Sequence, residues 1–161
     1  MTNASWRAMR PDDLAAVTAI SDAVHGRFSE SEAIYAERLA LHPAGCIVHE
    51  RDGAITGYLI SHPRHRDRPP ALDERLGGIA ADCDTYYLHD IALLPAARGS
   101  GAGRAALAFV IAQARACGMA EVTLMAVNGA DSFWASQGFA YVGGDTSSYG
   151  DGAHFMRLVL T

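Results

Sequence analysis

YYLHDIALLPAARGSGAGR, residues 86–104, is the stretch on which the reading of this chain turns. An apolar run suited to a buried strand, Tyr86 to Leu94, passes through a short turn into three alternate glycines, Gly99, Gly101 and Gly103. A helix-forming run follows at once. Glycine adopts positive φ and lets a ligand come close to the backbone. A helix that starts behind it offers unpaired N–H groups and the positive end of its dipole, which together hold a phosphate. A tight strand-to-helix turn alone would need one or two glycines. Three of them between Arg98 and Arg104 predict a backbone-made anion site over Arg98, Gly99, Ser100, Gly101, Ala102, Gly103 and Arg104.

Two familiar phosphate binders do not fit. No Gly-Lys-Ser/Thr follows, so the run is not the nucleotide P-loop. The third glycine of the dinucleotide fingerprint would fall on Arg104, and Glu121, twenty positions after Gly101, precedes the next strand instead of ending it. The segment does resemble motif A of the GNAT superfamily of N-acetyltransferases, Arg/Gln-x-x-Gly-x-Gly/Ala, which Arg98 to Gly103 matches at every fixed position. Its flanks resemble the family as well. Leu88-His89-Asp90-Ile91-Ala92-Leu93-Leu94-Pro95 looks like the family's fourth strand and the proline that ends it. Asn128-Gly129-Ala130 and Phe133-Trp134-Ala135-Ser136-Gln137-Gly138-Phe139 look like its Asn-x-x-Ala and Phe-Tyr-x-x-x-Gly-Phe segments. Residues 85–142 carry the resemblance; the N-terminal half agrees in element order.

The resemblance implies an α/β fold of one GNAT-like domain over residues 1–161, a mixed central sheet of about six to seven strands with about four helices on both faces. It implies acetyl-CoA (coenzyme A) as co-substrate and transfer to a primary amine of a small molecule or peptide by direct attack. The diphosphate would sit on residues 99–104. In the family the pantetheine arm lies between splayed fourth and fifth strands, against main-chain groups matching Ile91, Ala92 and Leu93, with the Leu93 N–H toward the thioester oxygen. Asn128 matches a position that contacts this arm; turn formation before Gly129 is the other reading.

Some family members carry a catalytic histidine where His89 stands, and an imidazole titrates near neutral pH. His89 is therefore the candidate base, with a buried histidine bonded to a carbonyl as the alternative. Period-two alternation groups His89 with Tyr87, Ile91 and Leu93, and turns Asp90 the other way unless a bulge, frequent in the family here, intervenes. One position departs from the pattern. The family commonly has a tyrosine acid where Trp134 stands, and an indole offers only an N–H donor. That leaves the general acid unassigned, and it keeps open a second reading, a catalytically weak coenzyme A-binding sensor or interaction module.

Composition sets bounds. With 161 residues and half of them apolar, the chain can bury a substantial core. No stretch approaches the roughly twenty uninterrupted apolar residues of a membrane span, and the N-terminus lacks a secretory apolar core, so a cytoplasmic location is expected. Cys46, Cys83 and Cys117 have no disulfide or zinc spacing, and no metal is expected. A formal net charge of −5 gives no attraction to nucleic acid. A homodimer stays open, because nothing in the sequence fixes the oligomeric state.

The rest of the chain yields elements. Trp6 to Met9 is a short strand candidate, and Pro11-Asp12-Asp13 starts a helix whose apolar side is Leu14, Val17, Ala19, Ile20 and Val24. Ser31 to Leu41 reads as a second helix. Cys46–Glu50 and Ile55–His62 read as a hairpin turned at Asp52-Gly53. Residues 63–84 read as a long functional loop with a short helix at Leu72–Leu76, and its histidine- and arginine-rich start, His62 to Arg68, as solvated charge or a contact for anions. Leu107, Val110, Ile111 and Ala114 mark a helix that ends at Gly118. Val122–Val127 is a buried strand, Ala130–Gln137 a short helix, and Phe139–Val142 and Phe155–Leu160 closing strands. The acceptor pocket is expected among the first two helices and the 63–84 loop.

Overall fold

The computed structural model describes residues 3–143 and 146–161. Among these described residues seven strands form one sheet in the order β1-β2-β3-β4-β5-β7-β6. They are β1 (Ala4–Ala8), β2 (Cys46–Arg51), β3 (Ala54–Arg64), β4 (Thr85–Leu93), β5 (Glu121–Ala126), β6 (Ala140–Tyr141) and β7 (His154–Val159). The α-helices of the described residues are α1 (Leu14–His25), α2 (Glu32–Leu41), α3 (Ala102–Ala116) and α4 (Asp131–Ser136). All strand pairs are antiparallel except β4 with β5. That parallel pair is joined through α3, as a crossover requires. Among the described residues no helix is long and apolar enough to cross a membrane.

Two apolar layers hold the sheet. On one face Val17 and Ile20 of α1 and Tyr35 and Leu39 of α2 pack on Val48, Tyr58, Ile60 and Ala92. On the other, Ala106, Leu107, Val110 and Ala114 of α3 and Trp134 of α4 pack on Leu59, Tyr86, Leu88, Val122 and Leu124. Val17, Tyr58, Leu59, Val110 and Val122 are fully shielded. At roughly 1.5–3 kcal/mol for each large apolar side chain buried, these layers are the main favourable term. The expected stripes are found, with one exception: Ala19 faces solvent.

The turn at Asp52-Gly53 forms as expected, with φ of 51° and 82°, the left-handed pair a tight hairpin demands. The helix expected at Leu72–Leu76 does not form. Its amides serve other partners instead: the Asp73 N–H donates to Glu30 (2.8 Å), and those of Leu76 and Gly77 to Glu37 (2.7 and 3.1 Å). In return the Asp73 carboxylate caps α2 by accepting from the Ser31 N–H at 2.8 Å.

No residue of the charged run 62–68 lines the cavity between β4 and β5, and several of its side chains are paired. His62 is buried. Arg66 makes a fork to Glu121 at 2.8 and 2.7 Å, and His65 meets Asp82. The Arg66 pair pins the start of the long loop to the sheet, and the His65 pair joins its two ends.

Candidate functional site

β4 and β5 stay paired only over Tyr86–Val122, Tyr87–Thr123 and Leu88–Leu124. Beyond Leu88 the two strands part, and a cavity of about 750 Å³ opens between them. Ile91, Ala92 and Leu93 line one side and Met125, Ala126 and Val127 the other. The Leu94 N–H donates to Thr56 of β3 (2.8 Å). Successive amides alternate along a strand, so the N–H and C=O of Leu93 face the opening. There the Leu93 C=O accepts from Arg98 Nε at 3.0 Å.

The glycine turn forms the mouth of this cavity. Gly99 and Gly101 have φ of 76° and 83°, values an L side chain rarely takes. Nothing lies within 4 Å of where their Cβ atoms would be. Gly101 is the N-cap of α3 and no side chain caps that end. The helix ladder begins with the Ala105 N–H on Gly101 C=O, so the amides of Ala102, Gly103 and Arg104 have no helical partner. Gly99, Gly101, Gly103, Arg98, Arg104 and Asn128 all line the cavity, whereas Ser100 and Ala102 support from behind: the Ser100 hydroxyl bonds Ala97 C=O and Ala102 is buried. Asn128 has φ 55°. It is both the turn residue and a wall residue.

A β-bulge decides which side chains meet the cavity's far end. Ile60 pairs with Asp90 and Ser61 with Leu88, so His89 is the extra residue. The alternation expected for this strand is therefore wrong past Leu88. His89 and Asp90 both lie on the α1/α2 face with Tyr87, while Ile91 turns to the α3 face. His89 Nε2 sits 2.6 Å from Glu30 Oε1, and the His89 side chain is fully buried. Its Nδ1 has no hydrogen-bond partner among the described residues. With the proton on Nε2, donated to Glu30, the Nδ1 lone pair stands free.

Asp90 accepts from His25 Nε2 at 2.7 Å and from the Tyr58 hydroxyl at 2.5 Å. Burial favours the neutral acid, yet the positive His25 ring and these bonds hold the Asp90 carboxyl below its ordinary value. Burial likewise opposes charge on His25, and Asp90 outweighs it, so the imidazole titrates above its ordinary value. His62, without a carboxylate, is driven well below by burial. Local sequence reading missed Glu30, His25 and Tyr149 as wall residues. Their partners lie tens of residues away and no short motif marks them.

A strand pair that parts over an uncapped, glycine-lined helix entrance defines a cleft for an elongated ligand with an anionic end. The chain belongs to the acetyltransferase (GNAT) family, whose family model matches residues 12–139. No curated protein sequence is significantly similar to it. Solved structures share its fold at low identity. Ard1 from Thermoplasma volcanium superposes with a TM-score of 0.74 at 16% identity, over 98% of each chain. GphF, a GNAT-like decarboxylase in complex with isobutyryl-CoA, gives 0.73 at 22% over 98% of this chain and 100% of that one. Arabidopsis thaliana Naa50, in complex with the bisubstrate analogue CoA-Ac-MVNAL, gives 0.72 at 15% over 98% and 99%.

Proposed function

We propose that the protein is an acetyl-CoA-dependent N-acetyltransferase that moves an acetyl group to a primary amine by direct attack. One observation carries the reading: the opening between β4 and β5 runs from the free amides of α3 to a histidine at the bulge whose ring Glu30 orients. The CoA ligands of GphF and Naa50 support it.

The residues fit such a molecule. The amides of residues 102–104, backed by Arg98 and Arg104, suit a diphosphate. The edge of β4 at Ile91, Ala92 and Leu93, with Asn128 opposite, suits an amide-bearing arm. Acetyl-CoA, when bound, would supply the activated acetyl group, its C–S bond breaking as the acceptor nitrogen forms the C–N bond, and its thiolate, of pKa about 8.5 by analogy with cysteine, leaving without a partner acid.

The chain's own residues do the rest. The Leu93 N–H, which faces the opening, would meet negative charge developing on the thioester oxygen. His89, which lines the cavity, takes the proton shed by the attacking amine once acceptor entry uncovers its buried Nδ1. Glu30 holds the ring in the tautomer that leaves Nδ1 free, as a positioning residue. No cysteine lines the cavity, which favours direct attack over an acyl-enzyme.

The test is transfer of acetyl from acetyl-CoA to a panel of amines, followed by release of free thiol. Turnover with at least one primary amine, abolished by excess desulfo-CoA, supports the reading. Tight CoA binding with no transfer to any amine would leave a binding module instead.

A further inference from the structure

The far end of the cavity, past His89, is a chamber distinct in character from the cleft that leads to it. Its walls are Val24 and Phe28 from the end of α1 and the turn after it, Leu72 from the long loop, and Tyr149 from the turn before β7. The Phe28 and Tyr149 rings stack with centroids 6.3 Å apart and 25° between planes. The chamber is roofed by hydrogen bonds linking three remote segments. Leu72 N–H donates to Ser148 Oγ (3.2 Å), Tyr149 OH to Pro70 C=O (3.3 Å), and Asp73 N–H to Glu30 Oε2 (2.8 Å).

The chamber's carboxylates are already hydrogen-bonded. Its two carboxylates are Glu30, engaged by His89 and the Asp73 N–H, and Asp90, engaged by His25 and Tyr58. The arginines that line the cavity, Arg98 and Arg104, belong to the glycine turn at the other end. Among the described residues, a second ammonium on the acceptor would find no carboxylate without hydrogen-bond partners, and an acceptor carboxylate no free cation. Desolvating either without a partner is costly. Admitting a polypeptide here would require breaking the roof.

We propose that the acceptor is a small primary monoamine on an uncharged, apolar and preferably aromatic body, an arylalkylamine in chemical class. The amine lies at the His89 end of the chamber and the body against Phe28, Leu72 and Tyr149. This specificity rests on the acetyltransferase reading above, whereas the family and the fold leave the amine open.

The experiment compares kcat/KM for acetyl transfer to 2-phenylethylamine, spermidine, glutamate and a short peptide with a free N-terminus. The expected result is at least a tenfold preference for 2-phenylethylamine. Leu72→Glu, at a partly exposed position that tolerates charge, should narrow or reverse the preference over spermidine while CoA affinity is unchanged. Phe28→Ala should raise KM for 2-phenylethylamine at least tenfold. Transfer that favours spermidine, glutamate or the peptide in the wild type overturns this inference and leaves the acetyltransferase reading standing. An unchanged preference in Leu72→Glu also overturns it. CoA binding without transfer to any amine overturns both.

Discussion

A buried imidazole with one nitrogen on a carboxylate and the other unpartnered has a direction. Glu30 and His89 supply that pair at 2.6 Å, at the bulge where β4 leaves β5. Removing the ring should remove proton transfer and little else: His89→Ala lowers kcat by about 10²–10³ with CoA affinity unchanged, read by steady-state kinetics and calorimetry. Glu30→Gln keeps the size but not the charge, so a smaller loss in kcat and an altered acidic limb of the pH–rate profile are expected. A purely structural Glu30 would leave that limb in place. The candidate histidine was legible in the sequence because it stands one residue into a motif. Its partner was not, since Glu30 lies 59 residues earlier in an irregular connection with no local signature. The bulge was legible only through the resemblance; alternation alone assigns Ile91 and Asp90 to the wrong faces.

Among the elements, α1 is tied to β4 by the His25–Asp90 ion pair, nearly shielded from water. The direction of its pH dependence follows from the two shifts. His25 titrates above its ordinary value of about 6.5, so its contribution is complete below that pH and fades as pH rises through the folded-state value. Asp90 titrates below its ordinary value of about 3.9, so its contribution holds above that pH and fades on further acidification. Asp90→Asn should therefore cost most between about pH 4 and 6.5, on the order of 3 kcal/mol, and less at pH 9. Urea melts at pH 5.5 and 9 check this.

The entrance of α3 allows a cleaner separation of fold from ligand. Gly103 is helical, and a Cβ there meets only Phe133, at 3.8 Å. The first turn of α3 has no acidic residue. Gly103→Asp should thus stabilise the free protein by about 0.5–1 kcal/mol through helix propensity and the dipole. Gly101→Val is a poorer probe, because φ of 83° strains any branched residue with or without ligand. Strand–turn–helix order was readable here because glycine spacing and apolar periodicity are local. The helix expected at Leu72–Leu76 failed because Glu30 and Glu37, distant in sequence, claimed its amides.

At the scale of the whole molecule, the sheet, opened at the one parallel junction among the described residues, places backbone donors at one end of a cavity and His89 at the other. A ligand that binds the native state alone raises stability by RT ln(1 + [L]/Kd), about 2.7 kcal/mol at a hundredfold excess over Kd. For a chain of this size that is a rise in Tm of roughly 5–10 °C. The most direct measurement is the thermal melt of wild type and Gly103→Asp with and without CoA, with ATP and NAD as controls. A rise of that order with CoA alone in the wild type, absent in a variant whose ligand-free Tm is equal or higher, is the expected result. No rise with CoA, or the same rise in both proteins, would contradict the claim that the free amides of α3 hold the CoA diphosphate.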